Sequence, residues 1–507
     1  MSLLPPREDQ LQSTQGSTGH DEQIKQRRPS TIGKDLFPIP LAPIEQFLVL
    51  DDRPDCPMTS FIELHFASEL QRDLLSQALT QTVHQHPFLA SRLVTLDGEM
   101  HWNYDPDFEP QLRDPTLVPI LATRDADHEP SPRPIDLRRE PGCRYWYGVN
   151  EVTGKSCLTI QLHHAACDGV GLRRVIIDTL TAYAKLSTPP VEGEEPKKKK
   201  KRDQLDAKRL LARADFSEID QKPVTHPISG WQRMKNNFYF YFLKPQPLVG
   251  TPVASSSSEN NAPLRHHIFD VETSTKLTEC CRKNEIAFND LALTILFRAC
   301  RHWNELHGLT KAKTRIRVLM PIDLRGRSDL QTPATNRLSF SFLGRTHSQC
   351  DDWVTLLSSV QKETNAIKSS RVYMDFLNGL ATAVKHPKRF ARAIGINRNM
   401  TTSVLTYTGD IARGMKNHFP EEDGRRKIGD SYLENILIAP PARENTNITM
   451  GLCINWGQIC ISANWNRTAI TREECGEFLK IYASAMIEWL NTMSHESLGK
   501  SDMTADE

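Results

Sequence analysis

The chain has no apolar run approaching the roughly 18 residues that a membrane-spanning helix needs. Its first 26 residues are polar, without the apolar stretch of a secretory leader. These absences predict no transmembrane anchor, no ordinary secretion and a cytoplasmic address. There is no CxxC pair and no zinc-ligand spacing among the 11 cysteines, an odd count scattered from Cys56 to Cys475, so they read as reduced thiols, mostly in the core. Without a leader, the Asn-X-Thr sequons at Asn399, Asn447 and Asn466 read as chance matches. No GxSxG elbow and no GxxxxGK[ST] loop occurs, which leaves serine-hydrolase and P-loop chemistry without support.

Net charge is also nearly absent, with 63 Lys and Arg against 62 Asp and Glu. Six of the positive charges sit together at Lys197–Arg202, leaving 57 against 62 elsewhere, so the body is slightly acidic. A nuclear-import or nucleic-acid patch is one reading of that run. The flanking Pro189, Pro190 and Glu192–Pro196 favour a solvated loop, and no nucleic-acid partner is expected.

What is present suits a large α/β (α+β) body: 507 residues, 38% hydrophobic and 25% charged, enough to bury a sizeable core. Residues 1–33 are polar and aperiodic, predicting a disordered tail. Residues 34–187 form a first lobe. In it, Ser60–Phe66 alternates as a half-buried strand, Ser68 and Gln71 have capping-box spacing, and Leu70 to Val83 carries a helical stripe. Residues 188–262 read as a connector holding the Lys run, the low-complexity Ser255–Ser258, and an aromatic helix from Trp231 to Phe242. The reading favoured for that helix is core or lobe packing, with a membrane-surface helix as the alternative. Residues 263–492 form a second lobe. It includes a hairpin turning at Gly457-Gln458, expected as type II′, and a last helix with Thr471 and Glu474 at capping-box spacing. Residues 493–507 read as a polar tail.

The chemistry concentrates in Leu162-His163-His164-Ala165-Ala166-Cys167-Asp168-Gly169-Val170-Gly171, placed where a β-prone run meets a helical pattern. Adjacent histidines at a strand end point to opposite faces, so one can face a cavity while the other packs. A histidine near its ordinary pKa of about 6.5 is mostly neutral at pH 7 and can accept a proton from an alcohol or amine. Asp168, with Gly169 and Gly171, can fix the turn by an ion pair or backbone hydrogen bonds. The residues alone leave two other readings open: a metal site lacking its further ligands, and a histidine pair with no chemistry.

His163 to Gly169 matches the HHxxxDG motif, and the chain resembles the acyltransferase superfamily that carries it. That superfamily includes nonribosomal peptide synthetase condensation domains, wax ester synthases, plant-type alcohol acyltransferases and chloramphenicol acetyltransferase. Further segments are similar in order and spacing: His84 to Leu93, Pro134 to Leu137 with Arg144, Ala287 to Asp290, Met320 to Arg325, and Asn336 to Ser339. The DFGWG segment of the plant-type members is missing, Asn455-Trp456-Gly457 keeping only the Trp-Gly pair.

The resemblance implies two chloramphenicol-acetyltransferase-like lobes with a tunnel between them. It implies a free-standing condensation-like enzyme that moves an acyl group from a thioester to an alcohol or amine. It casts His164 as general base, His163 as packing support, Asp168 as an ion-pair partner of Arg325, the Gly169 N–H as oxyanion donor, and Asn336 as a supporting residue. No bound cofactor and no metal is implied; acyl-CoA or a phosphopantetheine-linked acyl group enters as substrate. Expected partners are a small-molecule or lipid acceptor and an acyl or peptidyl carrier protein. The other expectation is a non-catalytic protein of this fold that holds an acyl chain or carrier protein in the inter-lobe cleft.

Overall fold

The computed structural model describes residues 34–54, 56–114, 134–188, 204–220, 224–225, 227, 229–252, 264–396, 399–422 and 424–502. The expectations for the N-terminal tail, the Lys197–Arg202 run and Ser255–Ser258 lie outside these residues.

Two large sheets organise the molecule. The first has seven strands in the order Glu421–Glu422, Arg425–Ile428, Ser431–Ala439, Thr59–Phe66, Ser156–His163, Cys143–Val149 and Leu112–Arg113. The second has six: Leu338–Thr346, Arg315–Asp323, Ser403–Asp410, Ile448–Asn455, Gln458–Trp465 and Arg265–Ile268. A small third sheet pairs Ile39–Pro40, Glu99–Tyr104 and Ser91–Leu96.

Side chains alternate across the first sheet. Ile62, Leu64, Leu158, Ile160, Tyr145 and Tyr147 lie on its apolar face in a core shared with helices Arg72–Gln85 and Gly169–Ser187. Thr59, Glu63, Thr159, Gln161 and His163 lie on the other face, yet they too are buried. Thr59–Phe66 was expected to be half-buried. It is an inner strand with both faces covered, because Ser431–Ala439 comes from the second half of the chain and pairs along it, Ile438 opposite Ile62.

That strand also presses on the second sheet. Asn455 Nδ2 donates to the Ile436 carbonyl at 2.7 Å, and a Cβ at Gly451 would overlap the Ile438 carbonyl. Residues 263–492 are therefore not confined to one lobe. The crossing strand also displaces the expected cap: the Ser68 hydroxyl donates to Ser431 Oγ at 2.8 Å, and the helix starts at Arg72 without a side-chain cap.

The capping box at the last helix does form. Thr471 N donates to Glu474 Oε2 at 2.8 Å and Glu474 N to Thr471 Oγ1 at 3.1 Å. The helix runs Arg472–Asp502, through most of the expected polar tail, burying Phe478, Tyr482 and Trp489.

The hairpin turns one residue earlier than expected. Asn455 pairs with Gln458, so Trp456-Gly457 is the loop, and φ is +48° and +80° at these residues, a type I′ turn rather than II′. Part of the connector belongs to the body: Leu210 and Ile219 are buried in the first core. There Arg213 Nε donates to Glu45 Oε1 at 2.7 Å, its second nitrogen reaches Oε2 at 2.8 Å, and the Trp102 indole adds a third bond to this buried carboxylate. The aromatic helix, Gly230–Phe242, departs from the favoured expectation. Trp231, Met234, Phe238 and Phe242 are exposed, and packing falls to Phe240 against Phe342.

Candidate functional site

The strand Ser156–His163 runs between two antiparallel neighbours. The His163 N–H donates to the Gly142 carbonyl at 2.8 Å, and the His164 N–H to the Met58 carbonyl at 2.8 Å. Successive residues bonded to opposite neighbours send their imidazoles to opposite faces.

His163 is buried. The Ala165 N–H donates to its Nδ1 at 3.2 Å, which places the ring proton on Nε2, and Nε2 lies 3.5 Å from Asp52 Oδ2. Asp52 is held in turn by the Met58 N–H at 2.7 Å.

His164 is half-exposed, but its Nδ1 is buried and has no hydrogen-bond partner among the described residues. Burial lowers its pKa below the ordinary 6.5, against the upward pull of its own backbone and the Asp168 charge. The ring is thus neutral at pH 7, the form that accepts a proton.

Asp168 is the N-cap of helix Gly169–Ser187 and is 2% exposed. Its Oδ1 accepts the Gly171 N–H at 2.8 Å and Arg325 at 2.9 Å; its Oδ2 accepts the Arg337 N–H at 2.8 Å and Arg325 at 3.0 Å. Both oxygens are engaged twice. This carboxylate holds Arg325, whose pKa is raised despite burial by the charges and hydrogen bonds of Asp168 and Asp323.

The two glycines after Asp168 differ. A Cβ at Gly171 would meet the Thr335 backbone at 3.2 Å, so close approach requires glycine there. At Gly169 nothing lies within 4 Å of that position, and its N–H belongs to the helix's first turn, where amides have no partner within the helix.

A segment of the second half, Ala334–Arg337, closes over the turn. Asn336 Nδ2 donates to the His164 and Ala165 carbonyls at 2.9 and 2.8 Å, and the Ala334 N–H donates to His86 Nδ1 at 2.9 Å. His86 Nε2 faces Asp178 at 3.2 Å. Although burial opposes it, His86 and Arg174 hold the Asp178 carboxyl down to about 2. His163, His164, Asp168, Gly169, Arg325 and Asn336 are therefore gathered at one seam between the halves. Asp52 and His86 were not singled out from the sequence, where only the Pro following His86 hints at a fixed position.

Between the sheets, Thr59, Phe61, Trp465 and Arg467 help line a cavity of about 110 Å³, and the Thr59 hydroxyl and Trp465 indole N–H are buried without partners among the described residues. Elsewhere Glu63, His65 and Cys157 have metal-ligand chemistry. Here His65 Nε2 faces Glu63 at 3.1 Å, and burial pushes the Cys157 thiol well up. No helix among the described residues is long and apolar enough to cross a membrane.

No protein-family model matches the chain. A segment of 277 residues, 52% of this chain, is 23% identical to a linear gramicidin synthase of Brevibacillus parabrevis and spans 5% of that protein's length.

Solved structures extend the likeness over most of the chain. The epimerization domain from the third module of tyrocidine synthetase B is 17% identical, with a TM-score of 0.58, over 91% of this chain and 97% of its own. The first condensation domain of the calcium-dependent antibiotic synthetase is 14% identical, with a TM-score of 0.58, over 89% and 96%. A starter condensation domain of rhizomide synthetase, in complex with C8-CoA and Leu-SNAC, is 14% identical, with a TM-score of 0.56, over 90% and 96%. At these identities the likeness is one of fold, and this chain has the fold of the condensation and epimerization domains of peptide synthetases.

Proposed function

We propose that this protein is an acyltransferase, moving an acyl group from a thioester to an alcohol or amine at the turn carrying His164. The acceptor's O–H or N–H gives its proton to the imidazole as the oxygen or nitrogen bonds to the acyl carbon. The resulting oxyanion is met by the Gly169 N–H. Collapse breaks the C–S bond, and the departing sulfur takes the proton back from His164, so the base is regenerated. Holding two substrates in one seam converts an encounter into a positioned reaction, worth about 7 to 11 kcal/mol. Few groups are then needed. His163 and Asn336 support the turn, and Asp168 with Arg325 fixes it.

The observation that carries this reading is His164 itself, half-exposed and kept neutral by burial at the junction of the halves. The donor is proposed to be acyl-CoA or a carrier-bound phosphopantetheine thioester. It is supported by the rhizomide domain, whose structure holds C8-CoA. The acceptor is proposed to be a small molecule or a lipid.

The test is mass-spectrometric detection of free coenzyme A and acyl products from short, medium and long acyl-CoAs with pooled alcohols and amines. Release by the wild type and its loss in His164→Ala is expected. Release that persists in His164→Ala overturns the base assignment. Absence of product with every acyl-CoA and with an acyl-pantetheine carrier overturns the transferase.

A further inference from the structure

The aromatic helix Gly230–Phe242 is mounted inside out. At 100° per residue, Trp231, Met234, Phe238 and Phe242 fall in one stripe about a quarter-turn wide, and they are 64%, 63%, 54% and 71% exposed. Phe240, on roughly the opposite side, is the aromatic that packs inward, 4.7 Å from the Phe342 ring. The mounting is firm. Buried Arg317 donates to the carbonyls of Tyr239, Phe240 and Leu243 at 2.9, 3.2 and 2.8 Å, binding the C-terminal end of the helix to the second sheet. Arg233 pairs with Asp375 at 3.3 Å. The helix is thus fixed to the body with its apolar stripe facing solvent, the reverse of an ordinary surface helix.

Charge indicates what the stripe meets. From Ser229 to Lys244 there is no acidic residue, while Arg233, Lys235 and Lys244 are basic. Lys235 Nζ lies over the Trp231 and Tyr239 rings at 5.4 and 5.7 Å. A second acid-free segment reaches the same corner. Lys385, Lys388, Arg389 and Arg392 are exposed on or just before helix Pro387–Ile396, whose Ile396 is 76% exposed, and Asn399 beyond it donates to the Pro245 carbonyl at 2.7 Å.

Aromatic side chains with interspersed lysine and arginine are the composition of helices that lie in a membrane interface, rings at headgroup depth and cations toward anionic lipid. We propose that the face built by Gly230–Phe242 and Pro387–Ile396 docks this protein on an anionic phospholipid surface. This docking is independent of the acyltransferase reading, since none of its residues belongs to the histidine turn.

The experiment is flotation of the full chain with phosphatidylcholine vesicles and with vesicles of equal phosphatidylcholine and phosphatidylserine. The comparison is between wild type and the triple variant Trp231→Ser, Phe238→Ser, Phe242→Ser. All three side chains are exposed, so the melting temperature should stay within a few degrees. The expected result is that wild type floats with the anionic vesicles and is released by high salt, while the triple variant loses partitioning roughly a hundredfold. A charge variant, Lys388→Glu with Arg389→Glu, should lose the preference for anionic vesicles. Wild type remaining unbound to both vesicles, or the triple variant floating as wild type does, overturns the proposal. A wild type that is dimeric by light scattering, does not float, and becomes monomeric in the triple variant overturns it in favour of a second copy of the chain.

Discussion

Replacing Asp168 by Asn separates a structural carboxylate from a chemical one. Asn keeps the shape and remains a good N-cap, so the bond from the Gly171 N–H can persist. What it removes is the charge opposite Arg325, and its amide NH₂ turns a donor toward Arg325 or toward the Arg337 N–H, both of which are donors themselves. Breaking one side of a buried pair costs about 3 to 5 kcal/mol. Asp323, 3.0 Å from Arg325, offsets part of this, which points to the lower end of that range. Asp168→Ala loses the cap as well, about 1 kcal/mol more.

Urea titration of both variants checks the order. The double variant Asp168→Asn, Arg325→Met should cost less than the sum of the two single changes, because no charge is left buried alone. Amide exchange at Ala334–Arg337 should rise in Asp168→Asn, since that segment loses an anchor. Unchanged stability together with complete loss of turnover would refute the structural role.

Because the His164 pKa is lowered, kcat/KM should hold as pH falls to 6.5 and decline only below it; an acid limb centred above 6.5 removes this imidazole from the base role. The same depression means that the unfolded chain binds this proton more readily, so His164 contributes stability above pH 6.5 that is lost as pH falls through its folded pKa; His164→Gln should flatten that part of a pH–stability curve. Gly171→Ala should destabilise by about 1 to 3 kcal/mol through contact with Thr335, while Gly169→Ala should fold normally and lower turnover; equal melting temperatures for the two would contradict the packing at residue 171. Glu45→Gln should destabilise by about 3 kcal/mol or more, because Arg213 keeps its burial and loses its charge partner; a urea midpoint equal to wild type would show that the pair carries no such weight.

The histidine turn was legible because its logic is local. A β-prone run, two histidines, an N-cap aspartate and two glycines lie within nine residues, and strand alternation with helix capping dictates most of what they do. Arg325 is 157 positions from Asp168 and came into view through the resemblance rather than from spacing. Asp52 and His86 stayed hidden, since their partners come from other elements: Asp178 and the Ala334 amide for His86, the His163 ring for Asp52. Periodicity showed that Trp231, Phe238 and Phe242 share a face. Which way that face points depends on Arg317, 74 positions beyond Leu243, gripping the helix from the other side. The turn at Trp456 was misjudged for a different reason. Glycine is the usual holder of a positive φ, and here a tryptophan takes one as well.

The pairing least visible from the sequence has the widest consequence for the site. Ser431–Ala439 hydrogen-bonds into the first sheet beside Thr59–Phe66, yet its Ile436 and Ile438 carbonyls press on Asn455 and Gly451 of the second. One strand thus belongs to both lobes. Ala334–Arg337 crosses in the same sense, holding His86, the His164 carbonyl and Asp168 from the far side. With two crossings, any motion that opens the seam must bend the chain between them rather than slide the sheets apart, because sliding breaks buried hydrogen bonds at both places. The candidate base and the amide of Gly169 sit on the first lobe, and the groups that fix their turn sit on the second. Their geometry is therefore set by the docking of the halves, and a change remote from His164 that loosens either crossing should lower turnover before it unfolds the chain.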